Sequence, residues 1–192
     1  QWQANLTLEK TNLRRLAAHW PNIDMGGKIH IVMQGNNQGG QNPIIIDGTL
    51  QVTHQKHTLH TTARANFSDN KWHIEQASLT LPGNPARLML KGELGTGLIP
   101  AHWQLTGRWH DLAWPPGTTP QATAEQGAVI ASKEGSFTLT GNPDAYHFTM
   151  DASISGATFP SGHWVAAGEG DRKGLVVNEI QADILEGRIT GQ

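Results

Sequence analysis

The chain has 192 residues, and its 14 lysines and arginines against 16 aspartates and glutamates give a formal net charge of −2. Because these charges form no basic block, the sequence argues against nucleic acid or an anionic membrane surface as a partner. The chain contains no cysteine, which excludes a disulfide scaffold, and no apolar run is long enough to span a bilayer as a helix. The chain starts at Gln1 and stops within a strand-like pattern at Arg188–Gln192, so we expect it to be a piece of a longer protein.

Alternating apolar and polar residues dominate the first half of the chain and predict β-strands with one apolar face. Residues 2–8 alternate in this way, while the apolar spacing after Thr11 predicts one short helix near 11–20 that ends before Pro21. The further strand-like segments of this half lie at 29–33, 44–52, 59–67, 72–81 and 88–94.

Turn residues separate these segments. Gly35–Gly40 predicts a loop, a hairpin is expected near Gln55–His57, and residues 68–70 predict another turn. The apolar positions change parity after Ile74, which predicts a β-bulge near Gln76. Strands joined by such short turns pair antiparallel.

The second half continues the pattern after a proline-rich stretch. Prolines between residues 115 and 120 mark the expected boundary between a unit at 1–114 and a further unit at 115–192. We expect both units to belong to one continuous structural domain. Strand-like segments follow at 137–139, 146–154, 164–168 and 175–189. The whole sequence therefore predicts an all-β protein of hairpins and meanders.

An apolar-x-apolar-x-Gly cassette recurs along the chain. Clear copies are Leu88-x-Leu90-x-Gly92 and Phe137-x-Leu139-x-Gly141. Alternate residues of a strand share a face, so each cassette places its apolar residues and its glycine together. Glycine inside a strand often marks a bend or a close backbone approach. From the residues alone, a sandwich, a closed barrel and one sheet curled over its own apolar face all remain open.

The second half also carries an ordered series of short motifs. In chain order these are Trp114-Pro115, Gly135–Gly141, Asp144–Phe148, Gly168–Gly170 and Leu185–Ile189. Together they resemble the repeat unit of the TamB family, which belongs to the AsmA-like group of large periplasmic proteins. A looser copy of the series occupies the first half.

This resemblance implies a β-taco, a long antiparallel sheet curled lengthwise into an open groove with an apolar interior. Such proteins are similar to repeating-groove bridges that carry phospholipids between membranes. The family is anchored in the inner membrane, extends through the periplasm and works with the outer-membrane protein TamA in outer-membrane biogenesis and protein secretion. Contact with TamA is expected only through parts of the protein outside this sequence.

The first functional hypothesis is therefore a lipid conduit. Acyl chains need apolar area and no catalytic chemistry, and burial contributes about 0.8 kcal/mol per methylene. Periodicity alone favours an ordinary dry core, whereas the resemblance favours the groove. The predicted lining residues are Ile29, Ile31, Met33, Ile44, Ile46, Leu50, Val52, Leu59, Phe67, Trp72, Ile74, Leu88, Leu90, Trp103, Leu105, Phe137, Leu139, Tyr146, Phe148, Met150, Ile154, Trp164, Leu175 and Val177.

Two alternatives stay open. A curled open sheet leaves edge strands that can add a client strand, which would suit an assembly chaperone for outer-membrane proteins such as autotransporters. Seven tryptophans in an all-β chain are also compatible with a carbohydrate-binding β-sandwich. However, Trp72, Trp103 and Trp164 share the apolar parity, which favours a core or groove lining over a sugar platform.

No catalytic residue, metal site or cofactor is predicted. The metal-like cluster is His54, His57 and His60, which straddles a predicted hairpin tip with His57 on the opposite face. A zinc site needs three or four converging ligands, so we interpret these histidines as solvated. The acids fall mostly at turns, whereas glycoside hydrolysis needs two facing carboxylates. We therefore expect a protein that is not an enzyme.

Overall fold

The computed structural model describes residues 2–12, 24–33, 44–54, 57–96, 102–114, 130–156, 160–184 and 187–191, and every regular element in these ranges is a β-strand. The all-β prediction is confirmed. The strands are β1 (Trp2–Asn12), β2 (Asp24–Met33), β3 (Ile44–His54), β4 (His57–Ser68), β5 (Lys71–Thr80), β6 (Arg87–Gly95), β7 (Trp103–Trp114), β8 (Ile130–Asn142), β9 (Ala145–Gly156), β10 (Gly162–Gly170), β11 (Leu175–Ile184) and β12 (Gly187–Gly191).

The helix predicted near 11–20 lies almost wholly outside the described residues. Its first two positions, Thr11 and Asn12, are the end of β1. The loop predicted at 35–40 and the prolines at 115–120 also lie outside the described ranges.

The strands form one 12-stranded antiparallel sheet in which spatial order is sequence order. β1 and β12 are its two edges, so the sheet is open. Within the described ranges no strand belongs to a second sheet, and the sandwich and closed-barrel alternatives are wrong. β7 pairs with β8 along its length, so the sheet continues across residue 114, while the division into units there stays a prediction.

The hairpins predicted from turn residues are present. His54 pairs with His57 across the tip of β3 and β4. At the next tip, Asp69 and Asn70 have φ angles of 50° and 63°, the left-handed pair of a type I′ turn. That turn matches the right-handed twist of the flanking strands, which explains a tight reversal there.

The bulge predicted near Gln76 is also present. Ile74 pairs with Gly92 and Ala77 pairs with Leu90, so β5 uses three steps where β6 uses two. Further irregularities occur in the pairing of β1 with β2, of β8 with β9, and of β10 with β11, where the register shifts between Ala167 and Gly168. Each bulge inserts one residue and bends its strand.

The sheet has no closed core. Extensive contacts join only strands that are neighbours in the sheet, and no large side chain in the described ranges is fully buried. The most buried apolar residues are small, with Ala152 and Ala182 each 1% exposed and Ala166 6% exposed. Ala152 and Ala182 are the cross-strand partners of Trp164 on its two sides, and among the described residues no second layer of structure is packed against that face.

Aromatic rings of the second half lie over glycines of neighbouring strands. A Cβ at Gly135 would lie 2.8 Å from Trp109 Cη2, and closer still to two other atoms of that ring. The Phe137 ring occupies the same kind of space beside Gly107, and Phe148 lies beside Gly168. These cross-strand pairs show that Gly135 and the cassette glycines Gly107 and Gly168 make room for rings, a role that the sequence interpretation in terms of bends did not include.

Two further cassette glycines are required by the backbone itself. Gly92 and Gly141 have φ angles of 145° and 128°, which side chains of L-residues rarely adopt. A Cβ at Gly92 would also lie 2.9 Å from the Cα of Leu105 on β7. Here the predicted close backbone approach is what the structure shows.

We predict that Gly135→Ala destabilises the protein by about 1–3 kcal/mol, since its methyl group would overlap the Trp109 ring. That ring cannot shift freely, because Trp109 Nε1 donates a hydrogen bond to Ser132 Oγ at 2.7 Å. The matched control is Gly174→Ala, whose Cβ would meet nothing within 4 Å. Urea unfolding of the two variants measures the difference; equal midpoints would contradict the ring-over-glycine explanation.

Candidate functional site

Residues that pair across neighbouring antiparallel strands project to the same face of a sheet. Following the pairs from strand to strand therefore gives rows that cross the sheet. Row A is Met33, Ile44, Phe67, Trp72, Leu94, Trp103, Gly141, Tyr146, Gly170 and Leu175, and row B is Ala4, Ile31, Ile46, Ala65, Ile74, Gly92, Leu105, Leu139, Phe148, Gly168 and Val177.

Two more rows lie beside these on the same face. Row C is Leu6, Ile29, Gly48, Ala63, Ala77, Leu90, Gly107, Phe137, Met150, Ala166, Ile180 and Gly191, and row D is Gly27, Leu50, Thr61, Leu79, Leu88, Trp109, Gly135, Ala152, Trp164, Ala182 and Ile189. We call rows A to D together the apolar face.

The residues predicted as groove lining all occupy this side of the sheet by register. Most belong to rows A to D, and Val52, Leu59 and Ile154 continue the same alternation beyond row D. Met33 is placed only by its backbone pairing, with Trp2 on one side and Ile44 on the other. The register brings the set together on one surface, and its contact with lipid stays a prediction.

Several residues of the apolar face were absent from that set. Leu79, Leu94 and Trp109 lie in the rows beside predicted members. The signal for each was present in the sequence, because each alternates in phase with a recognised cassette. The signal in the sequence was weaker for the buried alanines, because an alanine does not by itself indicate which face of a strand is apolar.

The apolar face carries no charged side chain. Its polar side-chain groups are the hydroxyls of Thr61 in row D and Tyr146 in row A and the indole N–H groups of the tryptophans in rows A and D. Strands lie about 4.8 Å apart and alternate residues about 7 Å apart along a strand, so the four rows cover roughly 50 Å by 20 Å. An area of this size greatly exceeds the apolar patches of ordinary monomers.

The ends of this face are open to solvent. Leu6 is 55% exposed near the β1 edge, while Leu175 and Val177 are 55% and 44% exposed on β11. Towards the middle, Trp109 is 8% exposed, because its ring stacks on Phe137 with centroids 6.3 Å apart. Burial at the centre thus comes from neighbours within the face and not from a covering layer.

Row A contains a tryptophan whose polar atom lacks a partner. Trp103 Nε1 is buried and has no hydrogen-bond acceptor among the described residues. Its ring lies 6.4 Å from that of Tyr146, tilted by 60°. By contrast, the Nε1 atom of Trp109 is satisfied by Ser132. Buried donors are almost always paired, so Trp103 is an exception that requires an explanation.

Charge is confined to the opposite face and to the turns. Lys71 donates to Glu93 at 3.2 Å, and Arg188 donates to Asp183 at 2.7 Å. These hydrogen bonds hold the pKa of Glu93 and of Asp183 below the usual carboxyl values. At pH values above the usual carboxyl pKa, these pairs therefore stabilise the fold. The contribution is lost as the pH falls through the lowered pKa of each carboxyl group. Because they are exposed, the contribution is small.

The polar face also contains two adjoining depressions, of about 700 and 760 Å³. Lys28, Thr49 and Thr62 line both of them. The sequence did not predict these depressions, which lie between rows of polar side chains on β1 to β5.

The predicted histidine cluster is only partly described. His54 and His57 pair through their backbones, and their side chains lie outside the described part of the structure. In the described ranges, no three acidic, histidine or cysteine side chains converge as metal ligands would. The same ranges hold no helix long and apolar enough to cross a membrane.

Comparison with known proteins adds to this geometry. Residues 99–192 match the family model described as TamB, N-terminal domain. This match is consistent with a fragment of a TamB-family protein. Comparisons with curated proteins and with solved structures gave no match.

The match begins just before β7, runs to residue 192 and includes the motif series of the second half. The TamB family is a component of the translocation and assembly module of the bacterial envelope and works there with TamA in outer-membrane biogenesis. It is a transport and assembly component rather than a known family of enzymes. The family alone does not distinguish lipid transport from protein assembly.

We predict that Leu139→Glu, in the middle of row B, lowers the free energy of unfolding by about 1–2 kcal/mol, since the new carboxylate keeps access to water on an uncovered face. A glutamate in a closed core would cost more than about 4 kcal/mol. The control is Thr140→Glu, the next residue of β8, which is exposed on the polar face. Urea denaturation measures both, and loss of folding in Leu139→Glu alone would contradict an uncovered face.

Proposed function

We propose that this protein is part of a periplasm-spanning bridge whose apolar face carries phospholipid acyl chains between the inner and outer membranes. The observation that carries the proposal is the apolar face itself, which crosses the whole sheet without a charged side chain. The TamB match over residues 99–192 supports a role in the bacterial envelope.

Binding follows from the burial of apolar area on both partners. Covering apolar surface is worth about 25 cal/mol per Å², so a two-tailed lipid gains substantially by lying on the face. Nothing on rows B and C forms a hydrogen bond or an ion pair that would fix one position. Rings that lie over Gly107, Gly135 and Gly168 occupy the spaces between large side chains. The result is an even wall along which an acyl chain can slide.

Transport along the rows is consistent with the meander. Each row runs from strand to strand, so movement along a row passes every hairpin in chain order. Strands added beside β1 or β12 would extend the same rows. In this proposal the full protein is anchored in the inner membrane, and contact with TamA belongs to parts outside this sequence.

A second candidate is an assembly chaperone that adds a client strand to the sheet. The observation in its favour is β1, an 11-residue edge strand with no partner on its outer side among the described strands. Unpaired edges bind extended segments through main-chain hydrogen bonds. Cysteine crosslinks in strand register between β1 and a nascent barrel strand would support this candidate, and their absence with intact lipid binding would favour the conduit.

For the conduit, we predict that the protein purified from bacterial cells carries phospholipid that native mass spectrometry detects as added mass. Leu139→Glu should lose most of this lipid while remaining folded, because it places a carboxylate in the acyl-chain path. Thr140→Glu adds the same charge on the other face and should retain the lipid. A lipid-free wild-type protein, or equal loss in both variants, would contradict the proposal.

A further inference from the structure

The polar face contains a third depression, of about 480 Å³, over strands β5 to β8. Its lining on that face consists of Glu75, Gln76, Met89, Lys91, Thr106, Arg108, Ser136 and Thr138. Glu75 and Gln76 are the residues of the bulge in β5, since they lie between Ile74 and Ala77, where the register with β6 shifts. A bulge bends its strand, so the depression lies where the sheet departs from its regular pleat.

Two cations line this depression, and a third lies beside it. Lys91 pairs with Thr106, and Arg108 lies two residues further along β7, so Lys91 and Arg108 are diagonal neighbours on one face. Such neighbours are about 7–8 Å apart, within reach of long side chains. Met89 pairs with Arg108, which places Arg87 diagonal to Arg108 on its other side. All three cations are exposed, and only the register brings β6 and β7 cations together.

These cations lack the carboxylate partners that most cations of the polar face have. Among the described residues, none of the three forms an ion pair. For Lys91 the bulge supplies the reason. The Glu75 carboxylate is directed away to β4, where Arg64 Nε lies 3.1 Å from it and Asn66 Nδ2 donates to it at 3.0 Å. Lys91 therefore faces the bulge without an acid of its own.

The other acids around the depression are placed similarly. Glu93, two residues along β6 from Lys91, is bonded by Lys71 at 3.2 Å. The cross-strand partners of Arg108 are the uncharged Met89 and Ser136. Glu134 lies opposite His110, one pair further along. Adjacent cations without counter-charges repel one another, and an anion bound between them would relieve that repulsion.

The groups around the depression suit a phosphoryl group. A guanidinium can bind phosphate oxygens through two parallel hydrogen bonds, and an ammonium adds a compact charge. Ser136, the cross-strand partner of Arg108, contributes a hydroxyl donor. A phosphomonoester carries a charge of about −1.5 to −2 at neutral pH, which matches Lys91 and Arg108 together. A single carboxylate would leave one of these cations without a partner.

We propose that Lys91 and Arg108 bind a phosphomonoester group in this depression, with the Ser136 hydroxyl donating to the same group and Arg87 adding positive charge. The site lies on the face opposite to the proposed acyl-chain path. It is therefore independent of the conduit and stands or falls separately from it. Phosphomonoesters occur both on soluble molecules and on the headgroup of phosphatidic acid, and separate probes distinguish the two sources.

The site is tested by titrating the protein with glycerol 3-phosphate at physiological ionic strength, where non-specific attraction is screened. Backbone amide NMR signals of Thr106, Arg108 and Ser136 should shift saturably. Lys91→Gln and Arg108→Gln should each weaken binding by about tenfold. The matched control is Lys28→Gln, another exposed cation of the polar face whose cross-strand partners, Thr7 and Thr49, are uncharged; it should bind as the wild type does.

Dimethyl phosphate, which has the same phosphorus centre with one negative charge, should bind more weakly than glycerol 3-phosphate. The proposal is wrong if no saturable shift occurs, if Lys28→Gln loses as much affinity as Arg108→Gln, or if the two phosphates bind equally. Equal urea midpoints of the three variants would show that the exposed substitutions leave the fold intact.

The source of the group is tested with phosphatidylcholine vesicles that contain or lack phosphatidic acid. If a lipid presents the group, phosphatidic acid should increase cosedimentation of the wild type and not of Arg108→Gln. If glycerol 3-phosphate binds and phosphatidic acid adds nothing, the group belongs to a soluble molecule. Cosedimentation that phosphatidic acid increases equally in the wild type and in Arg108→Gln, together with no response to glycerol 3-phosphate, would overturn the assignment to Lys91 and Arg108.

Discussion

A single antiparallel register, passed from each strand to the next, keeps the apolar side chains on one face of this sheet. Because side chains alternate along a strand, a slip of one residue in any hairpin would send all later apolar residues to the polar face. The bulge after Ile74 shows how the sequence and the register agree. There the apolar parity of β5 changes by one residue, and the extra residue in the pairing with β6 restores the phase at Ala77. The same compensation separates Val177 from Ile180 on β11.

An open sheet with this register has a large apolar face and nothing to cover it. Soluble proteins ordinarily bury such a face against a second layer, and this sheet replaces that layer with local packing. Rings lie over glycines, Ala152 and Ala182 pair with Trp164 on either side of it, and the face is filled within its own plane. The parts of the face that remain exposed, towards β1 and β11, are apolar surface available to a ligand. The uncovered apolar face is therefore the cause of both the missing core and the proposed function.

The sequence was sufficient for the parts of the fold that depend on local pattern. Alternation predicted the strands, turn residues predicted the hairpins, and the parity change near Gln76 predicted a bulge that the structure contains. Features that depend on cross-strand pairing could not be predicted from the local sequence pattern. The placement of Trp109 over Gly135, the unsatisfied donor of Trp103 and the depressions on the polar face arise from register and twist, which no single strand specifies.

The central claim is that acyl chains contact the apolar face and not the polar one. Methyl groups on adjacent residues of the same strands report on the two faces separately: Leu105, Leu139 and Met150 lie on the apolar face, and Thr106, Thr138 and Thr149 lie on the other. With phospholipid carrying a nitroxide in its acyl chain, methyl NMR spectra should show paramagnetic broadening of the first three and intact signals from the threonines. Equal broadening on both faces, or broadening of the threonines alone, would contradict the account.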